Sequence, residues 1–303
     1  MTVNNVTHAK KIVPLQELNL TSRFLFSEVS EDPVIHQDIL SIALQETVTL
    51  RKQNTVEKQL QKLPQIKSVR LDVYSMDEES NVYNTEMQQF RKSDLQKRSR
   101  FYQAMIDTSL LPVGSISYNE LNNSYIIMIT PFDLFGKDLY RYTFLPECQE
   151  APGIKLEDGA TRIFLNTKGK HPEDISPELV EFLKYVENTD DATAQHSNSE
   201  RIKRIHKRVQ EIKASEEIGV KYMQAWEEKA YEREEGREEG RKEGAKLTKI
   251  KQIQVKYAKQ LPEELIAEHL EMELSFVHQV CEIIRANPDA DAEEIYSVLS
   301  NTI

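Results

Sequence analysis

Two carboxylates carry the sharpest chemical signal in this sequence. Asp72 lies in Val69-Arg70-Leu71-Asp72-Val73-Tyr74, which alternates as a strand does, and Glu86 lies in a second strand-like stretch from Asn81 to Phe90. Side chains alternate along a strand, so Val82, Asn84, Glu86, Gln88 and Phe90 share one face and Glu86 and Gln88 project together. The polar segment Asp77-Glu78-Glu79-Ser80 between the two stretches reads as a turn. A hairpin centred on Glu79 sets Met76 opposite Val82, Tyr74 opposite Asn84 and Asp72 opposite Glu86. Directly opposed side chains have Cβ atoms about 5 Å apart, and like charges there repel. A hard divalent cation reverses that sign, because magnesium takes one or two carboxylates and completes its shell with water and phosphate oxygens. A slip of two residues would make the pair diagonal, which could still share an ion. The bland alternative, a solvated strand face, fits the spacing of Asp72 and Glu86 as well.

The elements around this pair follow from periodicity. Leu20 to Phe26 opens a helix that Thr21 or Ser22 can cap, and a second helix spans roughly Pro33 to Leu44. A helix from Asp94 to Ser109 carries an apolar stripe of Leu95, Phe101, Tyr102, Met105 and Ile106. Ser124 to Thr130 reads as a buried strand, with further strands near Tyr140 to Phe144 and Arg162 to Leu165. Arg91, Lys92, Lys97, Arg98 and Arg100 cluster just after the second strand. A basic helix beside a metal-binding pair would hold a phosphodiester backbone by charge, although such runs are most often ordinary solvated faces. Tyr102 either packs or touches nucleic acid.

The 303 residues suffice for one or two domains, and the net charge of −11 excludes a simple coat for DNA or RNA. Cys148 and Cys281 stand far apart, which excludes a disulfide scaffold or cysteine zinc site and suits a reducing cytoplasm. No secretory signal and no membrane span is legible, since Tyr125 to Ile129 is the longest apolar run. No phosphate-binding loop of the Walker type is present. Composition changes near residue 190: of the 23 aromatic residues, 17 precede it, and no proline lies between Pro177 and Pro262. The expected organisation is a mixed domain over 1–190, a charged helical linker or oligomerisation helix over 191–260, and a small helical module over 261–303. Ile202, Ile205, Val209 and Ile212 fit two heptads, but Glu216 and Gly219 then break the register. Glu234 to Gly244 repeats every four residues and reads first as a solvated helical spacer. The last helices form a packing hairpin or, less expected, a groove-reading helix-turn-helix. His278 and Cys281 sit three apart on a helix, and packing explains them better than metal binding.

Four segments in order also resemble a known family: Arg70–Tyr74 (RLDVY), Asn84–Gln88 (NTEMQ), Lys97–Asp107 (KRSRFYQAMID) and Phe164–Lys170 (FLNTKGK). Together they are similar to the Rpn recombination-promoting nucleases, or transposase-like proteins, of the PD-(D/E)xK nuclease superfamily. The resemblance covers roughly residues 15 to 190, and the glutamate-glycine-arginine tail is similar as well. It implies an α/β, restriction-endonuclease-like αβββαβ core with a long helical C-terminal extension, and a Mg2+-dependent endonuclease of the bacterial cytoplasm. Asp72 matches the motif aspartate and Glu86 the (D/E) position. Gln88 stands where the superfamily more commonly has lysine; glutamine lacks the charge but can orient a water. By the same resemblance Asp72, Glu86 and the Met87 carbonyl would hold Mg2+ or another divalent cation, with Gln88 positioning the attacking water. Lys97, Arg98, Arg100 and Tyr102 would contact the nucleic acid. Arg23 replaces the acidic residue or asparagine frequent on the first helix, and Glu28 is the nearest acidic substitute.

The leading expectation is therefore a DNA endonuclease, linked to recombination or mobile elements, with a tail that could form homo-oligomers. The second is a catalytically inactive nucleic-acid-binding or partner-binding protein that keeps the nuclease fold. A transposase of the three-acid (DDE) type would need a different fold and three acids that the sequence does not single out.

Overall fold

A computed structural model describes residues 12–51, 55–60, 69–111, 114 and 117–300. The chain divides into two compact units, one ending at Tyr222 and the other beginning at Met223.

In the first unit, helix α1 (Arg23–Ser30) buries Leu25, Phe26 and Val29. Ser22 occupies its N-cap position, but its hydroxyl makes no capping hydrogen bond. Helix α2 (Pro33–Leu44) starts where Asp32 accepts the Val34 N–H at 2.9 Å and Pro33 presets the first helical φ. It ends at Gln45 in the left-handed region, φ 61°. Strands β1 (Thr55–Leu60), β2 (Val69–Met76) and β3 (Val82–Met87) follow, then helix α3 (Leu95–Leu110), then β4 (Ser124–Thr130), β5 (Arg141–Phe144) and β6 (Ala160–Asn166). Among the described residues these six strands form one sheet in the order β1-β2-β3-β4-β6-β5. The pairs β1–β2, β2–β3 and β5–β6 are antiparallel, while β3–β4 and β4–β6 are parallel. The run from α2 to β4 is the αβββαβ order, with α1 preceding it, and the fold is the mixed α/β architecture of restriction-endonuclease-like proteins.

β3 is shorter than the stretch from Asn81 to Phe90. The Gln88 N–H still donates to the Ile129 carbonyl at 2.9 Å, but its side-chain amide closes on the Phe90 carbonyl. The chain turns out of the sheet there, and Phe90 is exposed rather than aligned with Glu86.

Both faces of the sheet are covered, as its parallel centre requires. On β4, Ile127 and Ile129 enter a core shared with α1, α2 and helices α4 (Pro177–Glu187), α5 (Asp191–His196) and α6 (Glu200–Ala214). Ile126 and Met128 point the other way, onto Tyr102, Met105 and Ile106 of α3. Ile202, Ile205, Val209 and Ile212 of α6 are core residues of this first unit rather than the seam of a coiled coil. Arg204 fastens α6 to α2 with two 2.8 Å bonds to Asp38, a fork matched to a carboxylate. The compositional break near residue 190 lies inside the unit.

The second unit takes most of helix α7 (Glu216–Tyr257) with α8 (Glu263–Leu270), α9 (Leu274–Ala286) and α10 (Ala292–Ser300). Its core is Ile250 and Ile253 of α7 against Ile266, Val277, Val280, Cys281 and Ile295. His278 and Cys281 diverge: His278 Nδ1 lies 2.8 Å from a Glu263 oxygen, while Cys281 is buried and its thiol pushed up to about 11 by desolvation. Among the described residues no helix is long and apolar enough to cross a membrane.

Candidate active site

The antiparallel β2–β3 hairpin sets Tyr74 opposite Asn84 and Met76 opposite Val82, the register of a hairpin centred on Glu79. Continued by two residues, that register brings Asp72 and Glu86 together. The bonds agree. The Asp72 N–H donates to Glu86 Oε1 at 3.0 Å, and the Met87 N–H donates to Asp72 Oδ2 at 3.0 Å. Each carboxylate is anchored through one oxygen to the backbone of the strand that carries the other.

The solvated strand face is excluded, because Asp72 and Glu86 are each only 1% exposed. Two buried acids side by side are expensive to ionise. Desolvation first, and then the charge of Asp72, pushes the Glu86 carboxyl up to about 8. The N–H of Asp72 and the amide of Asn84, which donates to Glu86 Oε1 at 3.1 Å, oppose that rise. Burial also raises the Asp72 carboxyl, and the Arg23 guanidinium is the strongest opposing influence.

The remaining oxygens meet arginines. Arg23, the first residue of α1, forms an ion pair with Asp72 Oδ1. Arg98, in the first turn of α3, lies 3.7 Å from Glu86 Oε2 and donates from Nε to the Tyr102 hydroxyl at 2.8 Å. The pair thus has inner oxygens fixed by backbone N–H groups and outer oxygens facing positive charge. Hard oxygen donors of this kind suit a divalent cation, and the outer oxygens, Asp72 Oδ1 and Glu86 Oε2, already face positive charge from Arg23 and Arg98.

The other expected site residues separate into groups. Gln88 is buried, and its Nε2 donates to the Phe90 carbonyl at 2.9 Å, which leaves the amide oxygen as its acceptor. Met87 meets Asp72 through its N–H. Lys97 and Arg100 are exposed on α3, as are Arg91 and Lys92 before it. Arg98 instead turns inward to Glu86, and Tyr102 is buried with Met105 and Ile106. Glu28 is buried and pairs with Lys221 at 2.6 Å. Five residues after Arg23, it is rotated by about 140° around α1, away from the face that reaches Asp72.

Two contributors were not assigned roles from sequence. Asn84 shares the Glu86 face by strand alternation, so its signal was present. Arg23 contacts Asp72 across the fold, a contact that no local pattern announces.

A model of the family described as PD-(D/E)XK nuclease family transposase matches residues 22–237. Neither a curated protein nor a solved structure matches the chain. The matched segment contains α1, the whole sheet, α3, and therefore both carboxylates and both arginines.

Proposed function

The chain belongs to the PD-(D/E)XK nuclease family transposases, and from that premise we propose that it is a divalent-cation-dependent DNA endonuclease. The observation that carries this reading is the buried Asp72–Glu86 pair, cross-anchored to β2 and β3. Asp72 and Glu86 would hold the cation, with the Met87 carbonyl as a further donor. A bound divalent ion supplies a more acidic water and neutralises charge on the phosphate. Mg2+ is the ion proposed, because the donors are all oxygen.

The chain's own groups supply the rest. Phe90 fixes the Gln88 donor end, so the Gln88 amide oxygen is the atom that would orient the attacking water. Exposed Lys97 and Arg100, joined by Arg91 and Lys92, would hold the backbone on either side of the cut. Arg98 is the group best placed to move between Glu86 and a phosphate oxygen, with Tyr102 beneath it as a support. Glu28 would stabilise the fold through Lys221 rather than bind the cation.

A second reading draws on the two arginines. Arg23 and Arg98 already neutralise the carboxylates, as they would in a nucleic-acid-binding protein without catalysis. A plasmid assay separates the two. Supercoiled DNA is incubated with the protein, with and without Mg2+, beside Asp72→Ala and Glu86→Ala. Nicking or linearisation that needs Mg2+ and is lost in both variants supports the enzyme. DNA binding without cleavage, or cleavage that survives in both folded variants, sinks it. A role in recombination or mobile-element movement is proposed from the family alone.

A further inference from the structure

Within α7, every residue from Tyr231 to Lys246 is exposed, and a Cβ added at Gly236, Gly240 or Gly244 would meet nothing within 4 Å. Each helical glycine destabilises the helix relative to alanine, and no burial offsets that here. The repeat has a period of four, close to one helical turn, so each residue class forms its own stripe along the helix. Arg233, Arg237 and Arg241 flank the glycines on one side, and Glu235, Glu239 and Glu243 flank them on the other.

These flanks are crowded in a single helix, because like charges four residues apart repel. The chain resolves only part of the crowding. Glu234 pairs with Arg237 at 2.7 Å and Glu238 with Lys242 at 3.3 Å. Among the described residues Arg233, Arg241, Glu235, Glu239 and Glu243 make no ion pair. The face thus offers a narrow bare strip between a positive and a negative rail.

We propose that this face docks on the same face of a second copy of the chain, the two α7 helices running parallel and crossing near Gly240. Symmetry selects the orientation. A two-fold axis along a parallel pair sets the arginine rail of each copy against the glutamate rail of the other. An antiparallel two-fold would set arginine against arginine and glutamate against glutamate. Ridges spaced four residues apart pack at about −50°, and the absent Cβ atoms let the backbones approach. A nucleic-acid strand is a poorer occupant, because the glutamate rail would repel it. Exposed ion pairs contribute little each and are screened by salt, so the dimer is weak and salt-sensitive. The inference is independent of the nuclease reading, and its readout is mass rather than cleavage.

Sedimentation equilibrium of the full chain tests it, at about 50 mM and about 500 mM salt. The expected result is a concentration-dependent dimer at low salt that dissociates at high salt. The triple variants R233E/R237E/R241E and E235R/E239R/E243R should each be monomeric alone and form a heterodimer when mixed, which also shows that both remain folded. In a C148S background, Gly236→Cys should cross-link to itself. A chain that stays monomeric at low salt overturns the proposal. So do triple variants that dimerise like the parent, a mixture that stays monomeric, or Gly236→Cys cross-linking only to Gly244→Cys.

Discussion

Charge is handled in opposite ways on the β2–β3 hairpin and on the middle of α7. On the hairpin, two carboxylates are stripped of water, and every oxygen meets a backbone N–H, an amide or an arginine. On α7, a denser set of charges stays in water, and most of it forms no ion pair among the described residues. Burial sets the energy scale. A charge held in low dielectric interacts by kilocalories and shifts its own protonation, whereas an exposed one contributes tenths and acts only in numbers. The hairpin is therefore a place where one atom decides the outcome, and α7 a place where only a pattern does.

The largest expected effect tests the hairpin side of that contrast. Glu86→Gln should lower Mg2+-dependent cleavage by about 10³-fold, since several kcal/mol of charge stabilisation are lost. Its melting temperature in chelator should hold or rise, because glutamine still accepts the Asp72 N–H without a buried charge. A comparable fall in stability would mean that Glu86 serves the fold. Next comes Arg23→Ala, which leaves Asp72 buried without its cation. Breaking a fully buried pair costs about 3–5 kcal/mol; Arg23 is 38% exposed, so screening reduces the expected loss to about 1–2 kcal/mol by urea titration.

The pH dependence follows from the same burial. Burial pushes the folded-state Glu86 carboxyl up to about 8, from the 4.5 of an ordinary glutamate. Between those values the folded chain holds a proton that the unfolded chain has released, so stability falls as pH rises through that window. The melting temperature in chelator should be higher at pH 6 than at pH 8.5, and Glu86→Gln should flatten this slope. A slope unchanged in that variant would assign it to other groups. The smallest effect belongs to α7. Glu239→Gln alone should change stability by less than about 0.5 kcal/mol, in keeping with an exposed charge.

The hairpin register was legible because two local rules, alternation and a short polar turn, converge on it without help from the rest of the fold. The position of β4 was legible for a similar reason, since Tyr125 to Ile129 is a continuous apolar run flanked by Ser124 and Thr130. What failed was anything decided by a distant partner. The period of Ile202, Ile205, Val209 and Ile212 identifies a buried helix face but not what buries it, and the answer is α1, α2 and α4. Arg98 sits in a basic run that reads as one solvated surface, yet helix geometry turns it alone toward Glu86. Arg23 looked like a departure from a pattern of acids, and only the packing of α1 onto the sheet gives it Asp72.

The most direct test of the central claim is Mn2+ binding to the chelator-treated protein, followed by calorimetry or by the ion's paramagnetic signal. The parent chain should bind the ion, Asp72→Asn and Glu86→Gln should each lose it, and Glu28→Gln should keep it. A parent chain that binds no ion, or hairpin variants that bind it as tightly as the parent, would contradict the claim.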